Sequence, residues 1–265
     1  MQSAHEIDYL IYGEEMQYVD IELDPGETAI AEAGAFMMMD DGVQMQTIFG
    51  DGSRSGGGGG IMDKLFSAGK RLLTGESLFM TAFTNVGQGK KRVAFASPYP
   101  GKIIALDLMD YGGKIVCQKD AFLCAARGVS VGIEFQRRLG TGMFGGEGFI
   151  MQKLEGDGFA FMHAGGHVFE RTLQPGETLR IDTGCLVAYT QQIEYDIQFV
   201  GGIRNTIFGG EGLFFATLRG PGKVWIQTLP VSRLASRILS YGVGRRKEEG
   251  SILGGLGNLL DGDGR

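Results

Sequence analysis

Phe144-Gly145-Gly146-Glu147-Gly148 recurs as Phe208-Gly209-Gly210-Glu211-Gly212, at an offset of 64 residues (208 − 144). At the same offset Val131, Ile133 and Phe135 fall on Tyr195, Ile197 and Phe199, and Leu154, Gly156 and Gly158 fall on Leu218, Gly220 and Gly222. A match that carries turns and strand faces in one register marks an internal repeat. A looser copy lies upstream: Gly75-Glu76-Ser77-Leu78-Phe79 repeats the turn, and Thr47-Ile48-Phe49-Gly50 resembles Thr206-Ile207-Phe208-Gly209. Pro-Gly opens a strand-like run at Pro25-Gly26, Pro100-Gly101 and Pro175-Gly176, spaced by 75 residues (100 − 25 and 175 − 100). Proline presets φ for a turn, and glycine takes the unusual φ that follows.

Between these landmarks the chain alternates as strands do. In Ile193-Glu194-Tyr195-Asp196-Ile197-Gln198-Phe199 apolar and polar residues take turns, which sets one face on a core and one toward solvent. Val131 to Phe135 and Val43 to Met45 follow the same pattern. Phe159-Ala160-Phe161-Met162 and Lys223-Val224-Trp225-Ile226-Gln227 are continuous apolar runs, as expected where both faces of a sheet are covered. The reading is all-β: three tandem β-sandwich modules at 1–95, 96–167 and 168–230, followed by a helix and glycine-rich tail at 231–265.

The 265 residues include 46 glycines, about one in six, placed between apolar runs with no Gly-X-Y period. That composition suits many short strands joined by turns. The net charge of −6 disfavours a nucleic-acid binder, which needs a basic surface for phosphates. Cys117, Cys124 and Cys185 sit among apolar neighbours and read as reduced, buried thiols. The N-terminus lacks the basic and apolar regions of a signal peptide, and no apolar run reaches spanning length, so a cytoplasmic protein is expected.

Two segments break the β pattern. The first module carries an insertion at about 50–74, opened by the run Ser55 to Gly60. Within it Ile61, Leu65, Ala68 and Leu72 share one face of a helix over 61–73, with Lys64, Lys70 and Arg71 on the other. After the last strand, Val231, Leu234, Ala235, Ile238 and Leu239 form a second apolar face at i, i+3, i+4, i+7 and i+8. Arg233, Arg237, Arg245, Arg246 and Lys247 follow without an intervening acid. Two readings stay open. The helices are basic amphipathic elements for a protein partner or an anionic membrane surface, or they are lids docked on the β-core with solvated basic faces.

Candidate chemistry is thin. His163 and His167 are weak metal candidates, separated by two glycines that place them at the flanks of a turn with exposed imidazoles. The glycines before residue 61 lack the Lys-Ser/Thr of a phosphate-binding loop. Glu76, Glu147 and Glu211 recur once per module, which suits turn carboxylates accepting backbone N–H bonds better than catalysis. No nucleophile can be paired with a base, and no catalytic residue or cofactor is assigned.

With these motifs in view, the chain resembles the bacterial branch of the altered-inheritance-of-mitochondria family, which is similar in fold to the tryptophan RNA-binding attenuator protein. Pro175-Gly176-Glu177-Thr178, Gly210-Glu211-Gly212-Leu213-Phe214 and the glycine-rich end carry the resemblance. It implies three double-stranded β-helix-like modules in a pseudo-threefold arrangement. The link of the mitochondrial relatives to inner-membrane organisation favours a peripheral membrane role. No tryptophan or RNA site maps onto residues of this chain. The expectation is a non-enzymatic scaffold that meets a partner or a membrane through its basic helices, and that could self-associate through exposed edge strands. The alternative is a small ligand or metal held inside a sandwich.

Overall fold

The computed structural model describes residues 4–49, 79–137, 149–199 and 214–241, with backbone alone at 49, 79, 136, 137 and 199. The expected helix at 61–73, the turn glutamates Glu76, Glu147 and Glu211, and Lys64, Lys70, Arg71, Arg245, Arg246 and Lys247 lie outside the described residues. The rest is all-β except for one α-helix and three short 3-10 turns.

Four antiparallel sheets follow one another along the chain. The first has the order β1 (Asp8–Tyr12), β2 (Tyr18–Leu23), β7 (Lys91–Ala96), β4 (Phe36–Met39). The second has the order β5 (Val43–Phe49), β6 (Phe79–Asn85), β3 (Thr28–Glu32), β10 (Phe122–Ala126), β13 (Phe159–Gly165), β8 (Gly101–Asp107). The third runs β11 (Ser130–Arg137), β12 (Phe149–Glu155), β9 (Lys114–Gln118), β16 (Leu186–Thr190), β19 (Gly222–Gln227), β14 (Val168–Leu173). The fourth is β15 (Thr178–Asp182), β18 (Phe214–Arg219), β17 (Glu194–Phe199).

Three cores lie between successive sheets. Val19, Ile21, Val93 and Phe95 of the first sheet meet Ala29, Ala31, Phe83 and Phe161 of the second. Ile30, Phe122 and Met162 on the second sheet's other face meet Ile115, Leu154 and Trp225 of the third. Val116, Met151 and Val224 then meet Ile197, Ala216 and Leu218 of the fourth. Neighbouring residues of β3 therefore serve two cores, because successive side chains of a strand point to opposite faces. The middle sheets are covered on both faces, and so β10 and β16 are buried at every position. The continuous apolar runs of β13 and β19 sit in these two sheets, where that pattern is required.

The Pro-Gly landmarks fall into two kinds. Gly26 and Gly176 take φ of +89° and +78°. In both turns a glutamate reaches back to the backbone: the Asp24 N–H donates to Glu27 at 2.8 Å, and the Gln174 N–H donates to Glu177 at 2.9 Å. Gly101 instead opens β8 against Gly165 of β13, where an added Cβ would collide with the Ala164 carbonyl and the His163 ring. It is glycine for close backbone approach, and the three Pro-Gly pairs are not one repeated turn.

Candidate functional site

The only α-helix among the described residues, α1, spans 231–241 and starts directly after Pro230, whose carbonyl accepts from Arg233 N–H and Leu234 N–H. Arg233 is tied to the β-body by an ion pair with Asp182 at 3.0 Å. Asp182 also accepts from Gly184 N–H, which caps the 3-10 turn Thr183–Cys185. The apolar face read from the sequence divides in two. Val231 and Leu234 are half-buried, whereas Ala235, Ile238 and Leu239 are exposed, the last two at 62% and 67%, followed by Tyr241 at 73%. The helix is docked by its first turn and uncovered beyond it.

A cavity of about 220 Å³ lies at the root of α1. Tyr99, Lys119, Asp120, His163, Gln227 and Val231 line it among others, drawn from the loop before β8, the 3-10 turn Lys119–Ala121, β13, β19 and the helix. Gln227 is a structural bridge: Gly165 N–H donates to its Oε1, and its Nε2 donates to the Gly184 carbonyl, each at 2.8 Å. His163 is only 3% exposed, and its Nδ1 has no hydrogen-bond partner. The Tyr99 ring stands edge-on to the imidazole at 4.5 Å between centroids. Burial pushes the His163 pKa down to about 4, opposed by a hydrogen bond with the Tyr99 backbone, so the ring is neutral at physiological pH.

The acids and phenol nearby are shifted the other way. Loss of solvent, then the charge of Asp120, raises the Tyr99 phenol to about 12. Glu32, at the end of β3, is raised to about 7 by crowding and then by Asp120, with Lys119 opposing. Glu32 is exposed by surface area, so its carboxylate is crowded by neighbours without being sealed from water. A neutral imidazole, an ammonium, a carboxylate and a phenol thus line the pocket, with the Glu32 carboxyl outside the lining but felt by Asp120 and Lys119, a set that can hold a small polar ligand.

The structure parts the two histidines. His163 belongs to β13 and is buried, which corrects the expectation of an exposed turn imidazole; β13 continues through Gly165 because it pairs with β8 over its whole length. His167 is exposed beyond the strand, its N–H donating to Thr228. Among the described residues no three His, Cys, Asp or Glu side chains converge as metal ligands. Cys117 and Cys124 are buried free thiols whose pKa values burial pushes up, and Cys185 is half-buried. Glu32, Tyr99, Lys119 and Asp120 escaped the sequence reading. The charged pair Lys119-Asp120 does break an apolar stretch, but nothing local ties it to His163.

Residues 9–229 match the family described as Mitochondrial biogenesis AIM24. The chain belongs to this family. An uncharacterized protein of Streptococcus pyogenes serotype M6 is 30% identical over 225 residues, 84% of this chain and 86% of that protein. The crystal structure of a Streptococcus pyogenes protein superimposes with a TM-score of 0.69 at 26% identity, covering 89% of this chain and all of that one. The match stops just before α1, so the whole helix lies beyond the family region. Among the described residues no helix is long and apolar enough to cross a membrane.

Proposed function

We propose that this member of the AIM24 family is a non-enzymatic β-scaffold, cytoplasmic and built of three tandem modules, that attaches peripherally to anionic membrane surfaces through α1. The observation that carries the reading is the uncovered apolar end of α1, with Ile238, Leu239 and Tyr241 at 62%, 67% and 73% exposure. The segment 231–241 holds Arg233 and Arg237 and no acid, and the sequence continues to Arg245, Arg246 and Lys247. An apolar face flanked by cations suits the boundary between acyl chains and anionic headgroups. The module reading is supported by the same one-residue bulge in β4, β10 and β16 where each meets its partner strand.

Flotation with anionic and neutral vesicles tests it. Full-length protein is expected to float with anionic vesicles only, and Ile238→Glu/Leu239→Glu protein is expected to stay in the dense fraction with an unchanged circular dichroism spectrum. Equal flotation of both proteins, or of neither, would sink the proposal and turn attention to a protein partner. A second reading, a small polar ligand in the cavity, is favoured by the buried, unpartnered Nδ1 of His163. Stabilisation by inorganic phosphate or acetate in a thermal melt, lost in Lys119→Ala, would support it; no shift with either anion counts against it.

A further inference from the structure

We propose that a second copy of this chain pairs its β15 with the exposed edge of β4, so that chains join head to tail through their end sheets. The two six-stranded sheets are each made at one internal join, β10 to β3 and β16 to β9. The joins share one register. Cys124, Ala125 and Ala126 face Ala31, Ile30 and Ala29 in the first. Ala188, Tyr189 and Thr190 face Cys117, Val116 and Ile115 in the second.

β4 is built like β10 and β16. Each pairs on its other side with a central strand, and each has its bulge after the first residue: Phe36/Met38, Phe122/Cys124 and Leu186/Ala188. β15 is built like β3, entered by the same left-handed glycine turn with the same reaching glutamate. Yet among the described residues β4 pairs only with β7, and β15 only with β18. The first and fourth sheets are half-sheets that lack what the middle sheets have.

Burial marks the same gap. Phe36, Met37, Met38 and Met39 are 42%, 50%, 47% and 40% exposed, while the eight matching residues from Phe122 to Ala125 and Leu186 to Tyr189 are at most 5% exposed. A four-residue apolar edge with unpaired backbone groups is a template for another strand. A β15 edge supplies the complementary antiparallel backbone, and continuity with the internal joins sets the register: Met38 opposite Ile181, Met39 opposite Arg180, Asp40 opposite Leu179. The outer faces of the end sheets are polar, with Arg92 paired to Asp20 and Glu22 on one and Arg180 and Arg219 exposed on the other. The join therefore rests on edge hydrogen bonds and the β4 side chains, which makes it reversible and concentration-dependent. Its two surfaces differ, so it closes into a ring or continues as a filament.

The test is a mixture of two full-length single variants, Met39→Cys and Arg180→Cys, oxidised together at high concentration. Both positions are exposed, and directly paired strand residues lie within disulfide reach. A covalent species of twice the 28.5 kDa chain is expected, absent when either variant is oxidised with wild-type protein, which controls for Cys185. Replacing Arg180→Cys by Thr178→Cys, two residues out of register, should cut the yield at least about fivefold. No dimer from the mixture, or a cross-link formed only inside the doubly substituted chain, overturns the proposal. Wild-type mass by light scattering should rise with concentration, and Met39→Glu should hold it at 28.5 kDa.

Discussion

The middle of the sheet stack and its two ends are made of the same strands under different coverage. β10 and β16 are buried at every position, whereas β4, which has the same bulge and the same central-strand neighbour, is exposed at every position. Position in the stack, rather than hydrophobicity of the strand, decides burial. Substitutions should therefore cost most in the middle and least at the ends, while their effects on association should run the opposite way.

The largest stability effect is expected at Trp225, fully buried between the second and third sheets. Its ring meets Tyr111 edge-on at 5.4 Å, and the Lys223 ammonium lies 5.6 Å from its centroid. Trp225→Ala should cost about 3–5 kcal/mol in chemical denaturation. Trp225→Phe should cost much less, because the indole Nε1 is buried without a partner and its removal leaves no orphan. Equal losses for the two variants would show that the indole N–H is satisfied.

Next is the pH dependence at the cavity. The folded pKa of His163 is about 4, below its ordinary 6.5, so between these values the unfolded chain binds more protons and stability rises with pH. At about 1.4 kcal/mol per pKa unit this amounts to about 3 kcal/mol. Glu32 has the opposite sign: its folded pKa of about 7 lies above 4.5, so the folded chain binds more protons there and stability falls as pH rises. The two windows overlap and offset each other in the native protein. Glu32→Gln should expose a stability that climbs from pH 4 to 6.5, and His163→Gln one that declines from pH 4.5 to 7. Parallel pH profiles for both variants would sink the assignment.

Much of the fold is legible along the chain, and the reasons are local. The alternation through Glu194 to Phe199 and the i, i+3, i+4 spacing from Val231 each depend on a strand or helix repeating its own geometry. The apolar run Phe36 to Met39 reads no differently from Phe122 to Ala125, since a run records what a strand can bury and is silent on whether a neighbour arrives. His163 reads as a turn residue yet lies inside β13, because two glycines signal a turn unless the strand beside them needs close approach. Glu32, Tyr99, Lys119 and Asp120 are brought together by the join of β3 to β10 and the packing of two sheets, which no short-range pattern encodes.

A smaller effect is expected where the last sheet holds the helix. Arg233→Ala removes the ion pair with Asp182, whose carboxylate is largely shielded while the arginine is partly exposed. The loss should be about 0.5–1 kcal/mol. It should appear as faster amide exchange in 231–241 with unchanged protection in β16 and β19. Uniformly faster exchange across the third sheet would mean that the helix is part of the cooperative fold.

The smallest stability change should come from the edge itself. Met39→Glu places a carboxylate on a strand already 40% exposed at that position, where nothing buried is lost, so the unfolding free energy in chemical denaturation should stay within about 0.5 kcal/mol of wild type. Ala125→Glu, at the matching position of β10, buries the same carboxylate at 0% exposure and should unfold the second sheet. One substitution at two matched positions thus separates what a strand is from where it stands. If both variants were equally destabilised at a concentration where the wild-type protein is monomeric, β4 would be covered in solution by a part of the same chain, and the end of the stack would be no end at all.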